Sequence, residues 1–186
     1  MKLPVYAYGS PVLRKIAEDI DPDYPGLEQL ISDMFETMHS AEGVGLAGPQ
    51  VGKLIRLFLV DARVYGEDYE DLKDFKKVFI NAQILEEWGD EVLETEGCLS
   101  IPKIHEDVYR SDFIRIKYVD ENFIEQEVVF EGMAARIIQH EYDHLDGILF
   151  PDKLSPLKKR LIKGKLKDIA NGKVNVNYKM IFPQKK

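Results

Sequence analysis

The string His140-Glu141-Tyr142-Asp143-His144 restricts this chain more than any other feature. Residues four apart on a helix stand one turn above each other, so the two imidazoles can share one cation. The Glu between them leans over the same site and can take a proton from water held there. The surrounding residues predict that helix. Glu131-Gly132 precede the run, Met133 to Leu145 has helical spacing, and Gly147 stands where a C-terminal cap belongs. The plainer alternative is an amphipathic helix carrying two hydrogen-bonded histidines.

A hydrolytic metal site needs a third protein ligand and an open position for water. A thermolysin-like enzyme takes a Glu from a later helix, but no Glu follows Glu141. A metzincin takes a third His, but no His follows His144. The candidates are therefore Asp146, Asp152 and Asp168 downstream, or His39, His105 and Cys98 upstream. Asp146 is too close along the same helix to complete a tetrahedron. Cys98 is the strongest candidate, because Gly97 lets the backbone approach another group and a cation would hold the thiol as thiolate. As the single cysteine it forms no internal disulfide. Its competing reading is a small buried hydrophobe. His39 closes an amphipathic stretch ending at Ala41 and reads as a surface residue. His105 lacks a partner at ligand spacing and reads as structural or at a cleft rim.

A further segment runs Gly43-Val44-Gly45-Leu46-Ala47-Gly48-Pro49-Gln50-Val51-Gly52. Four glycines among apolar residues predict a strand and turn whose backbone approaches another group closely. The segment lacks the Lys-Ser/Thr of a phosphate-binding loop and is not Gly-x-Gly-x-x-Gly. By itself it is equally a tight turn after a helix.

Taken together, three ordered motifs resemble the peptide deformylase family: Gly43 to Gln50, Glu96 to Ser100, and Gln139 to Gly147. The family pattern has Ala where this chain has Gly48, a difference that bears on loop shape. The resemblance implies removal of the formyl group from N-formylmethionyl nascent peptides, with release of formate. It implies Cys98, His140 and His144 as ligands of one divalent metal and Glu141 as general acid and base. Gln50 and the Leu99 N–H would bind the formyl oxygen. The substrate would lie along Gly43, Val44 and Gly45, with Glu96, Gly97 and Ile137 also at its site, and Val44, Leu99 and Ile137 around its Met side chain. Glu96 and Asp143 are candidate anchors that orient ligands, with Arg110 as their partner. A Cys-His-His set suits zinc and other divalent ions. The family implies Fe2+ in the cell, and Zn2+, Ni2+ or Co2+ in purified protein.

The predicted fold class is α+β: antiparallel β-sheets packed around a central helix bearing the His-Glu-x-x-His motif, with N-terminal helices and a C-terminal helix. Ser10-Pro11 reads as the cap and start of a short helix, and Leu27, Leu30, Ile31, Met34 and Met38 predict a helix from about Gly26 to Ala41. Leu54–Val60, Val78–Trp88, Phe113–Val119 and Glu125–Phe130 read as strands, with a hairpin turn at Asp120-Glu121-Asn122. The acidic stretch Gly66 to Asp71 reads as an exposed loop. A length of 186 residues predicts one catalytic domain over 1–186. The absence of a long apolar run, an export signal or a second cysteine predicts a cytoplasmic protein without membrane contact.

Charge is unevenly placed. Residues 152–186 hold eleven Lys or Arg against two Asp, in a chain of net charge −8. The basic residues concentrate in Lys158–Lys173 and at the terminus. Ribosome docking through this segment, about 154–186, suits a nascent-chain enzyme, while a solvated helix face explains the same charges. DNA binding is not expected. The rival functions are a zinc endopeptidase, a non-enzymatic metal-binding or ribosome-associated protein, and a cysteine hydrolase using Cys98. The lack of a downstream Glu or His argues against the first. Glu141 argues against the second, because structural zinc has no use for a poised base.

Overall fold

The computed structural model describes residues 1–183. Its largest element is one long antiparallel hairpin. Strands β4 (Lys76–Cys98) and β5 (Ile101–Val119) pair along their length, with register shifts at four places. The tip is a two-residue connection, Leu99-Ser100, and Cys98 pairs with Ile101 across it. Sequence periodicity predicts two shorter strands here, ending at Trp88 and starting at Phe113. Residues 85–91 of β4 are exposed on both faces, which removes the alternation that marks a half-buried strand, and in β5 the buried Ile101, Ile104 and Val108 are interspersed with charged residues. They are strand because each backbone group pairs with its hairpin partner, a constraint that side-chain patterning does not report.

Strands β2 (Gly45–Ala47), β3 (Leu57–Asp61) and β6 (Glu125–Glu131) extend the hairpin into an antiparallel sheet of order β2-β3-β4-β5-β6. β3 reads Leu-Phe-Leu-Val-Asp and is buried throughout. Its alternate side chains serve opposite faces. Leu57 and Leu59 pack with Met34 and Met38 of helix α1 (Leu27–Ser40), whereas Phe58 and Val60 join the cluster under helix α2 (Gly132–Leu145). Helices on both sides make a continuous apolar run the stable choice for such a strand.

The predicted central helix is α2. It begins two residues after Phe130 of β6, so the sheet delivers it directly. Ala134, Ala135 and Ile138 lie in the aromatic cluster with Phe58, Phe79, Tyr118 and Phe130, and the small alanines allow close approach. The expected cap is present. Gly147 has φ +72°, the Ile148 N–H donates to Asp143 O at 2.9 Å, and a Cβ at Gly147 would meet the Arg14 backbone at 2.8 Å.

Helix α3 (Pro156–Ala170) starts at Ser155, whose Oγ accepts from the Lys158 N–H. It buries Ile162, Leu166 and Ile169 against Ile101, Ile104 and Val108 of β5. The chain then returns to pair β7 (Met180–Ile181) with β1 (Val5–Tyr6). That small sheet is parallel, an exception to the antiparallel expectation, and two-residue strands leave no period to read. Ser10-Pro11 starts a 3-10 turn, Pro11–Arg14. The acidic stretch is exposed from Glu67 to Asp71 as expected, and the fully buried Leu72 beside it ties the segment to the core.

Phe79 is fully buried and stacks at 4.6 Å on Phe58, with Tyr118 and Phe130 on its other sides. Phe79→Ala should lower the unfolding free energy by about 3–5 kcal/mol in urea titration. A loss below about 1 kcal/mol would show that the cluster refills the space and does not anchor the sheet to α2.

Candidate metal centre and cleft

His140 and His144 stand one turn apart on α2, their ring centroids 5.3 Å apart and their planes at 75°. The hairpin tip carries Cys98 to them from the opposite side. Its Sγ is 3.4 Å from His144 Nε2, and the three donor atoms all lie within 4.8 Å of one another. Ligands of one tetrahedral cation stand roughly 3.3–3.6 Å apart, so the donors fit such an ion. The three downstream aspartates are engaged elsewhere. Asp146 pairs with Arg56 at 2.9 Å, Asp152 binds Arg14, and Asp168 faces Lys173. His39 pairs with Asp61 at 2.8 Å, outside this group.

Behind the donors lies a buried ionic network. Glu96 Oε2 is 2.9 Å from His140 Nδ1, which directs the other nitrogen of His140 toward the donor group. Arg110 grips both oxygens of Glu96, and Arg136 donates to Oε1 at 2.8 Å. Arg110 also reaches Asp143 at 2.8 Å. Burial would raise the Glu96 carboxyl, but hydrogen bonds from Arg110 and His140 hold it well below the usual carboxylate range. Burial and the neighbouring His140 push His144 well below the usual imidazole range, which keeps it neutral as a ligand must be.

Glu141 is buried beside these donors, and burial pushes its carboxyl up to about 7. Two buried polar atoms here have no partner among the described residues, Glu141 Oε2 and His144 Nδ1. A carboxylate left free in a buried site is fitted to take a proton from something that enters. Gly45 makes room for it, because a Cβ there would lie 2.3 Å from Glu141 Oε1.

These groups open onto a cleft of about 660 Å³. Gly43, Val44 and Gly45 line it, as do Gln50, Glu96, Gly97, Cys98, Leu99, Ile137, His140 and Glu141. His144 is nearly inaccessible beneath them. Gln50 is held at both ends of its amide. Its Oε1 accepts from the Ala47 N–H at 2.9 Å, and its Nε2 lies 3.2 Å from Ser100 Oγ and 3.5 Å from Cys98 Sγ. The Leu99 side chain packs where a Cβ on Gly43 would be. His105 lies against Gly97 at the rim.

Three participants escape the sequence reading: Arg136, Ser100 and the segment Asn175–Tyr178. Arg136 stands four residues before His140, and a buried Arg on a ligand face calls for a carboxylate, so its spacing held the signal. Tyr178 carries no such signal. Its hydroxyl donates to Leu99 O at 2.8 Å, and burial, with Cys98 nearby, pushes it well above the usual phenol range.

A thiolate and two imidazoles around one ion position, with an unpartnered carboxylate alongside and a cleft above, define a mononuclear metallohydrolase. Similarity to known proteins narrows that class. Residues 2–160 match the sequence profile of polypeptide deformylase. The peptide deformylase of Christiangramia forsetii is 56% identical over 100% of this chain and 98% of its own length. That of Flavobacterium johnsoniae is 52% identical over 98% and 96%. The crystal structure of a peptide deformylase from Legionella pneumophila superposes with a TM-score of 0.80 at 35% identity, covering 93% of this chain and 98% of that one. The Thermus thermophilus peptide deformylase gives 0.80 at 39%, covering 90% and 96%. The chain belongs to the peptide deformylase family.

Glu96→Gln removes the charge that fixes His140. Metal affinity measured by chelator competition should fall about 10- to 100-fold. An unchanged affinity would show that Glu96 serves only the two arginines.

Proposed function

We propose that this chain, acting as a single catalytic domain over residues 1–186, removes the formyl group from N-formylmethionyl nascent peptides by the following use of its residues. The observation that carries the reading is the meeting of Cys98 with His140 and His144 beside the unpartnered carboxylate of Glu141, within a peptide-sized cleft. Bound on those three donors, a divalent cation supplies Lewis acidity that lets water ionise near neutral pH. Iron as Fe2+ is the proposed cellular metal, with Zn2+, Ni2+ or Co2+ able to occupy the same donors.

Glu141 accepts the proton as water attacks the formyl carbon, then returns it to the amine that leaves with the peptide. Its environment suits both tasks, since a carboxyl titrating near neutrality exchanges protons in either direction. Negative charge develops on the formyl oxygen, where Gln50 Nε2 and the Leu99 N–H donate. Gln50 is held by Ala47 and Ser100 before substrate arrives, so no reorganisation is needed at reaction. β2 stands at the edge of the five-stranded sheet, so the backbone at Val44 and Gly45 would pair with an extended peptide, while the Gly43 N–H is held by Met38 O at 2.9 Å. Val44, Leu99 and Ile137 receive the Met side chain, and Gly97 keeps the opposite wall clear.

Glu141→Ala should retain one metal per chain and reduce formate release from formyl-Met-Ala-Ser by about 100- to 10,000-fold. Gly45→Ala should act similarly by displacing the carboxylate. Chelation should abolish activity, and casein should not be cut. Formate release that survives chelation, or survives Glu141→Ala, would refute the mechanism.

No helix among the described residues is long and apolar enough to cross a membrane. We place the enzyme in the cytoplasm, docked on ribosomes through α3. Ile162, Leu166 and Ile169 face inward, while Lys159, Arg160, Lys163 and Lys167 are exposed. Lys158 contributes less, being half-buried near Glu106, and Lys185 and Lys186 lie outside the described residues. Replacing Lys159, Lys163 and Lys167 with Glu should abolish low-salt co-sedimentation with ribosomes without loss of formate release. Undiminished co-sedimentation would exclude this face.

A further inference from the structure

The turn that carries Leu99 is held from outside by the small parallel sheet. Two successive carbonyls, Leu99 O and Ser100 O, accept hydrogen bonds from the Tyr178 hydroxyl and the Tyr8 N–H, each at 2.8 Å. Both donors sit beside one structure. Tyr178 lies two residues before β7, Tyr8 lies two residues after β1, and the strands register Val5 with Met180 and Tyr6 with Ile181. The pairing continues to either side, where the Val5 N–H donates to Lys179 O at 2.9 Å and the Ala7 N–H to Ile181 O at 2.8 Å. The two termini of the described chain thus form a bracket whose load is the turn at the tip of the β4–β5 hairpin.

This turn needs holding. A two-residue connection at the end of a long hairpin is the part of a sheet with the fewest neighbours. Yet it presents Cys98, the Leu99 N–H and Ser100 Oγ, which respectively contribute a ligand, a donor and a support for Gln50. The segment bearing Tyr178 also forms part of the cleft surface, with Asn175–Tyr178 along its wall. All of it lies beyond residue 160, where the match to the family profile ends.

We propose that Tyr178 is a positioning residue for the reaction, its hydroxyl clamping the Leu99-Ser100 peptide so that the preceding N–H stays aimed at the formyl oxygen. The inference rests on the deformylase reading for its catalytic consequence and on geometry alone for the clamp. Tyr178→Phe removes one oxygen and leaves the ring. A donor held loosely costs transition-state stabilisation more than ground-state binding, so the change appears in kcat.

The experiment uses the full-length, metal-loaded enzyme and its Tyr178→Phe variant. kcat for formyl-Met-Ala-Ser should fall about tenfold, the value of one net hydrogen bond, while KM stays within about twofold. Metal stoichiometry should be equal, and the thermal midpoint should move by less than about 4 °C. Hydrogen–deuterium exchange across residues 97–101 should quicken several-fold, with the β3 segment unchanged. An unchanged kcat overturns the proposal, as does a loss that tracks metal release or a lowered thermal midpoint. Wild-type protein inactive on the formyl peptide would defeat the deformylase reading instead. The exchange measurement would then decide the clamp by itself, quicker exchange supporting it and unchanged exchange overturning it.

Discussion

The carboxylate of Glu96 is the contact on which the site depends. It belongs to β4, and it binds Arg110 from β5 and both Arg136 and His140 from α2. One buried anion therefore locks the hairpin to the helix that carries two of the three candidate metal donors. Burying a charge is costly unless it is paired and hydrogen-bonded, and here Arg110 also reaches Asp143, so two carboxylates face two guanidinium groups. Such a network adds little net stability compared with an apolar core, but it accepts only one geometry. Sliding β4 by one residue would turn Glu96 to the other face and carry Cys98 away with it. The network therefore fixes register where the metal donors need it.

The three motifs were legible because each answers a demand that is local in sequence. A helix places i and i+4 together, so His140 and His144 needed no knowledge of tertiary structure. Gly147 was legible for the same reason, as a cap. Cys98 was reached by elimination and by family resemblance, and neither reveals how it arrives. It arrives at the end of a 23-residue strand whose outer half has no apolar alternation, so the element that delivers the thiolate was the one least visible to pattern reading. The β1–β7 bracket was illegible for a stronger reason. Its two strands are two residues each and lie at opposite ends of the chain, so only the folded molecule brings them together.

Small residues around the cleft express a related constraint. A Cβ on Gly45 would strike Glu141, one on Gly43 would strike Leu99, and one on Gly97 would strike His105. The glycine-rich stretch is thus explained by what approaches it, as its composition suggested, and its departure from the family pattern at Gly48 follows the same logic. A Cβ there would sit 2.9 Å from Lys53 O and 3.0 Å from Ile55 O, so the loop from 48 to 55 folds closer to its own start than Ala would permit.

Two carboxylates at the site end in opposite states, and the difference comes from their neighbours. Glu96 and Glu141 are both buried close to His140. Glu96 has two guanidinium groups and an imidazole N–H against it, so its charge is stabilised beyond the cost of burial. Glu141 has a free oxygen and only longer-range help from His140 and Arg110, so burial prevails and its carboxyl rises to about 7. One acid is thereby fixed as a permanent anion that orients His140, while the other is left able to change protonation. Environments that push two carboxyls apart in this way separate a structural charge from a group suited to the acid–base role proposed for Glu141. Here the separation follows from which side of α2 each faces: Glu96 meets the arginines beneath the helix, and Glu141 meets the glycine wall of the cleft.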